Sequence, residues 1–168
     1  FRRRLIEVAD KITVALDQLI PPAQGPEADL MRAMRHAALA NGKRMRPFYV
    51  LETGALFNAP EKTLLRTAAA LECVHTYSMV HDDLPCMDDD DFRGMVGWQM
   101  IDMLESDSPR DLNTITRMQR MKTGALISYS VESAAIIGGA SEAERQALAG
   151  FANDLGLAYQ IADDLLDA

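Results

Sequence analysis

Apolar side chains recur every three to four residues along almost the whole of this sequence, and that spacing leaves little room for a sheet. Leu5, Val8, Ile12, Val14 or Ala15, and Leu19 predict an amphipathic helix over residues 1–20. Pro21 and Pro22 end it, because proline removes a backbone donor and clashes with the preceding turn. A second helix is predicted over 27–40, through Met31, Met34 and Ala38, with Asn41-Gly42 as its left-handed cap. Pro47 suits the first turn of a third helix running to Leu56. A long fourth helix spans 61–81 and is closed by Pro85. Two more cover 111–137 and 143–167, separated by Gly138-Gly139, and Ser141 with Glu144 three residues on forms a capping box for the last. Beta-branched residues are scattered and do not alternate. The expectation is a single all-α domain over residues 1–168, a helical bundle around a central cavity.

A chain of 168 residues can bury roughly 70% of its unfolded surface, so its core requires no disulfide or structural metal. Its 25 acidic and 17 basic residues give a net charge of −8. Nucleic acid is disfavoured as a partner, since its recognition needs a basic footprint. An anionic membrane surface would repel the chain, and no apolar run approaches the ~18 residues of a membrane span. Cys73 and Cys86 lack ligand spacing and read as reduced thiols, which suits the cytoplasm. The opening Phe1-Arg2-Arg3-Arg4 lacks the pattern of a signal peptide.

Two acidic clusters carry the chemistry. Six of the eleven residues from His81 to Asp91 are aspartates. Adjacent carboxylates repel one another unless solvent or a cation neutralises them. The run is thus either a solvated acidic loop or a magnesium site, since magnesium takes one or two carboxylates plus substrate phosphates. An EF-hand does not fit, because the alternate oxygen ligands are missing and Gly94 is misplaced. The second cluster lies in the last helix. Asp163 and Asp167 are one turn apart, with Gln160 three residues earlier on the same stripe, among Leu155, Leu157, Ile161, Leu165 and Leu166. Read alone, this stripe is an exposed polar face or a second metal-binding bank. Two such banks in one helical domain could hold several magnesium ions around one polyphosphate.

The basic residues suit that phosphate. Gly42-Lys43-Arg44-Met45-Arg46-Pro47 places three cations at a helix junction, where free N–H groups and basic side chains bind anions. Lys122-Thr123-Gly124 lies in a largely apolar helix; the lysine there either snorkels or contacts phosphate. His75 precedes Asp82 by seven residues, two helical turns, and so shares its face.

Taken in order, Gly42–Pro47, His75–Pro85, Asp88–Arg93, Lys122–Leu126 and Gln160–Asp167 resemble the trans-isoprenyl diphosphate synthases, most closely the bacterial farnesyl diphosphate synthase branch. The resemblance covers nearly the whole chain. It implies the isoprenoid synthase fold and a prenyltransferase of isoprenoid biosynthesis (a polyprenyl synthetase, or geranyltranstransferase). Such an enzyme condenses isopentenyl diphosphate with dimethylallyl or geranyl diphosphate to farnesyl diphosphate. It implies Asp82, Asp83 and Asp88 as one aspartate motif and Asp163, Asp164 and Asp167 as the other, binding several Mg2+ ions that bridge the diphosphate. Asp82, Asp83, Asp88, Asp163 and Lys122 form the implied catalytic set. Arg93, Lys122, Thr123 and Gln160 are expected to contact the allylic diphosphate. Gly42, Lys43, Arg46 and His75 are expected on isopentenyl diphosphate, Tyr77 as the floor that limits chain length, and a homodimer as the assembly. The alternatives are a geranyl or geranylgeranyl diphosphate synthase, or a non-catalytic subunit of a heteromeric synthase.

The sequence also departs from the family. After Arg93 the family continues with a second arginine, a glycine and about two helices, whereas here Arg93 abuts Gly94-Met95-Val96-Gly97. Further helices and another lysine would follow Ala168. The expectation is a longer chain, lacking here a segment between Arg93 and Gly94 and a C-terminal part.

Overall fold

The computed structural model describes residues 1–82 and 124–166; the side chains of residues 81, 82, 163, 164 and 166 lie outside that description. Every regular element among the described residues is a helix: α1 Arg2–Leu19, α2 Ala28–Leu39, α3 Met45–Leu56, α4 Glu61–Asp82, α5 Ala125–Ile137 and α6 Glu142–Leu166. The expected helix over 111–137 is described only from α5 onward, and Pro85 and Cys86 lie outside the described residues.

The helices fall into two compact units, residues 1–76 with 133–140 and residues 77–132 with 141–168. In the first, α1 packs on α2 and α3. Its buried row is Val8, Ile12, Leu16 and Ile20, one residue every four, while Val14 and Leu19 face outward. The expected stripe through Val14 and Leu19 is corrected accordingly: both keep the three-to-five spacing of an amphipathic face but lie off the row that meets the neighbours. Pro21 holds Ile20 extended, at φ −79° and ψ 127°, because proline excludes the helical region for the residue before it. Arg35 of α2 then donates to the Ile20 carbonyl at 2.9 Å and pairs with Asp17, closing the end of α1. Val50, Leu51, Leu64, Ala68, Ala69 and Leu71 continue this core from α3 and α4. A Cβ on Gly54 would stand 2.4 Å from the Leu64 methyls, so a side chain there requires the buried Leu64 to shift.

In the second unit, Ile127 and Val131 of α5 and Ala152 of α6 are buried. Ser128 Oγ donates to Asn153 Oδ1 at 3.0 Å. Gly156 of α6 lies so close to Gly124 that a Cβ at 156 would come within 2.7 Å of the Gly124 Cα. The capping box forms as expected: the Ser141 N–H donates to Glu144 Oε2 at 2.7 Å, and the Glu144 N–H reaches back to Ser141 Oγ at 3.4 Å.

Candidate anion and metal site

The basic loop between α2 and α3 is built around Arg44, not around the expected Asn41-Gly42 cap. The left-handed backbone belongs to Arg44, at φ 49° and ψ 42°, and neither Asn41 nor Gly42 has a positive φ. Its carbonyl accepts the Phe48 N–H at 3.0 Å and so starts α3. Its side chain turns inward. Nη1 donates to Glu72 Oε1 at 2.7 Å, and Nη2 to the Ala38 and Ala40 carbonyls at 2.8 and 2.6 Å. Those carbonyls belong to the end of α2, where the helix has no partners of its own to offer. The three cations read together from the sequence therefore divide. Lys43 is exposed, Arg46 is half-buried, and Arg44 is spent on an internal ion pair whose two side chains are 5% and 6% exposed. A Cβ on Gly42 would meet the Arg44 guanidinium at 3.9 Å, an ordinary contact, so packing does not demand glycine there.

Arg46 and His75 are brought together. Arg46 Nη1 stands 2.9 Å from His75 Nε2. A guanidinium only donates, so Nε2 accepts and the neutral ring carries its proton on Nδ1. Burial, with Arg46 and then Arg44 adding like charge, lowers the His75 pKa to about 3. At neutral pH the ring is therefore an uncharged donor beside a cation. The pairing thus holds the Arg46 cation against an uncharged ring, with Lys43 exposed in the same loop.

On α4, Tyr77 is 63% exposed. Asp82 is the helix's last residue. On α6, Gln160 is buried at 3% exposure, one turn before Asp163, and Asp164 follows within the same helix. Asp83, Asp88, Arg93, Lys122, Thr123 and Asp167 lie outside the described residues. Among the described residues no three acidic, histidine or cysteine side chains converge on a point that could hold a metal. No described helix is long and apolar enough to cross a membrane. Glu72 and Gly156 are the positions that motif reading missed. Neither has a local signal, for each is defined by a partner distant in sequence, Arg44 in one case and Gly124 in the other.

The family model for polyprenyl synthetases matches residues 27–98 and 94–168. Farnesyl diphosphate synthase of Escherichia coli is 30% identical over 227 aligned positions, covering 99% of this chain and 75% of the relative. This chain belongs to the polyprenyl synthetase family. Geranylgeranyl pyrophosphate synthase 4 of Arabidopsis thaliana is 29% identical over 224 positions, which take in 99% of this chain and 60% of that protein. Among solved structures, an FPP/GFPP synthase from Zymomonas mobilis superimposes with a TM-score of 0.92 at 35% identity, across 99% of this chain and 81% of that one. The all-helical fold is therefore that of the isoprenoid synthases, as expected.

Proposed function

We propose that this chain is a magnesium-dependent trans-prenyltransferase that condenses isopentenyl diphosphate with dimethylallyl or geranyl diphosphate to give farnesyl diphosphate. The observation that carries the reading is the Arg46–His75 contact, which unites the basic loop with the helix ending at Asp82. In this reading Lys43 and Arg46 bind the isopentenyl diphosphate as cations, and His75 holds the Arg46 guanidinium at that site. Gly42 supplies backbone at the same loop. Arg93, Lys122, Thr123 and Gln160 take the allylic diphosphate, and the burial of Gln160 beside Asp163 supports its share of that role.

Asp82, Asp83, Asp88, Asp163, Asp164 and Asp167 would hold the magnesium ions. The donor set fits that metal, since all its ligands are carboxylate oxygens and none is thiolate or imidazole. When bound, such ions stabilise negative charge growing on a departing diphosphate. The apolar helices exclude water that would otherwise capture a carbocation.

Tyr77 limits the product to fifteen carbons in this reading. Relatives named for both farnesyl and geranylgeranyl products keep a synthase of shorter or longer product as the second reading. A non-catalytic subunit is disfavoured by the presence of both aspartate motifs. A homodimer in the cytoplasm completes the proposal. A segment missing between Arg93 and Gly94 is supported by the two-part family match meeting at 94–98, and by an alignment of 227 positions on a chain of 168 residues.

The test is incubation with isopentenyl and geranyl diphosphates plus magnesium, for this chain and for one with a relative's segment restored after Arg93. Farnesyl diphosphate as the main product of either supports the activity. A twenty-carbon product moves the assignment to the second reading, and no prenyl transfer by either chain rejects it.

A further inference from the structure

We propose that the buried Arg44–Glu72 pair is the positioning device of the anion site, fixing Lys43 and Arg46 on one side and His75 on the other in a single geometry. The inference rests on the reading of those three residues as the isopentenyl diphosphate site.

Arg44 lies between Lys43 and Arg46, and Glu72 lies one turn before His75 on α4. The 2.7 Å ion pair is therefore a buried tie between the two segments that must converge on the ligand, beside the Arg46–His75 contact. The guanidinium's other contacts, to the Ala38 and Ala40 carbonyls, anchor the same loop to the end of α2. A left-handed conformation in a residue with a side chain is unfavourable and persists only where its surroundings over-determine it. Here three side-chain hydrogen bonds and a helix start do so. A buried ion pair adds little stability over an apolar pair of similar volume, so its effect is better sought in placement. Arg44 is not placed to meet the ligand, because its side chain is 5% exposed and three of its N–H donors are engaged internally. It acts through its neighbours, as Glu72 does through His75.

Charge and placement can be separated by the sign of the response. Binding of inorganic diphosphate is measured calorimetrically in EDTA, which removes the metal-dependent contribution of the aspartate motifs, and the part lost in Arg46→Ala is the part read. The first variant is Glu72→Gln, which removes a negative charge beside the site. If the pair acts only through its field, the anion binds more tightly. If it positions the site, binding weakens. The second is the double variant Arg44→Met with Glu72→Leu, which keeps the net charge and, by the apolar replacement argument, the fold. We expect it to melt within a few degrees of the parent, to lose at least about tenfold in diphosphate affinity, and to shift the 15N resonance of His75 Nε2 that reports the Arg46 contact. Arg46→Ala is the control for the underlying reading. Loss of binding in Arg46→Ala, with parental binding and an unmoved His75 resonance in a folded double variant, overturns the positioning role alone. Tighter binding in Glu72→Gln overturns it as well, even if the double variant does not fold. Parental binding in Arg46→Ala, or none in the parent, rejects the anion-site reading and this inference with it.

Discussion

Alanine at Gly150 and alanine at Gly156 should move the stability of this protein in opposite directions, although both glycines sit inside α6. A glycine-to-alanine change within a helix gains about 1 kcal/mol, because alanine has less backbone freedom to lose. At Gly150 nothing among the described residues lies within 4 Å of the added Cβ, so that gain should appear in full. It corresponds to a rise in Tm of ~2–4 °C for a chain of this size. At Gly156 the Cβ would stand 2.7 Å from the Gly124 Cα and 3.6 Å from its nitrogen. These are backbone atoms, which cannot rotate away as a side-chain end would, so the two segments must part. Overpacking costs about 1–3 kcal/mol, and a backbone clash belongs at the upper end. The same propensity gain is subtracted, leaving a net loss of about 2 kcal/mol and a Tm lower by ~4–8 °C. Melts followed by circular dichroism, with urea titration at one temperature, read both variants side by side. Gly124 also closes the Lys122-Thr123-Gly124 motif, so Gly156→Ala should raise the KM for the allylic diphosphate while Gly150→Ala leaves it alone. A Gly156→Ala protein as stable as Gly150→Ala would refute the close approach of α6 to residue 124.

His75 gives a pH signature. Its pKa is about 3 in the folded protein against an ordinary 6.5, so between those values the unfolded chain binds more protons. Its contribution, on the order of a few kcal/mol, is complete above pH 6.5 and lost as the pH falls toward 3. Urea midpoints measured from pH 7 downward should fall more steeply for the parent than for His75→Gln, and equal slopes would contradict the neutral buried ring. Asp82→Ala or Asp163→Ala in the active chain should lower kcat by ~100-fold or more, the scale of losing a charge stabiliser; near-parental turnover argues against either as a metal ligand. Tyr77→Ala should lengthen the product, and an unchanged chromatographic profile removes Tyr77 from chain-length control. Lys43→Ala should raise the KM for isopentenyl diphosphate and leave that for the allylic substrate unchanged, the two being read from separate substrate titrations.

What could be read from the sequence was mostly what is decided within one turn of chain. The Ser141–Glu144 box and the stop at Pro21 are settled by neighbours three residues away or fewer, and both form as expected. The helical class follows from a period that repeats in every segment. Lys43, Arg44 and Arg46, by contrast, look alike as cations in one short loop. Glu72, twenty-eight residues later, together with the Ala38 and Ala40 carbonyls, holds Arg44 inward. Likewise Val14 and Leu19 satisfy a helical pattern, yet the packing of α1 selects the row through Val8, Ile12 and Leu16. Amphipathic spacing allows several neighbouring stripes, and the choice among them is tertiary. The residue pattern marks Arg46 as a basic residue at a junction and His75 as a histidine above an acidic motif, and only the family resemblance puts them on one ligand. Their direct contact is a property of the folded chain.

The Arg44–Glu72 pair also bears on how this protein can drift. Losing either partner strands a buried charge, a penalty of about 3–5 kcal/mol, whereas exchanging both for apolar residues of similar volume is close to neutral for stability. A saturation library built one position at a time would therefore score both sites as immutable for the wrong reason. Only a pairwise library separates what the fold requires from what the ligand requires, and descendants that abandon the pair must cross a poorly folded intermediate or change both codons together.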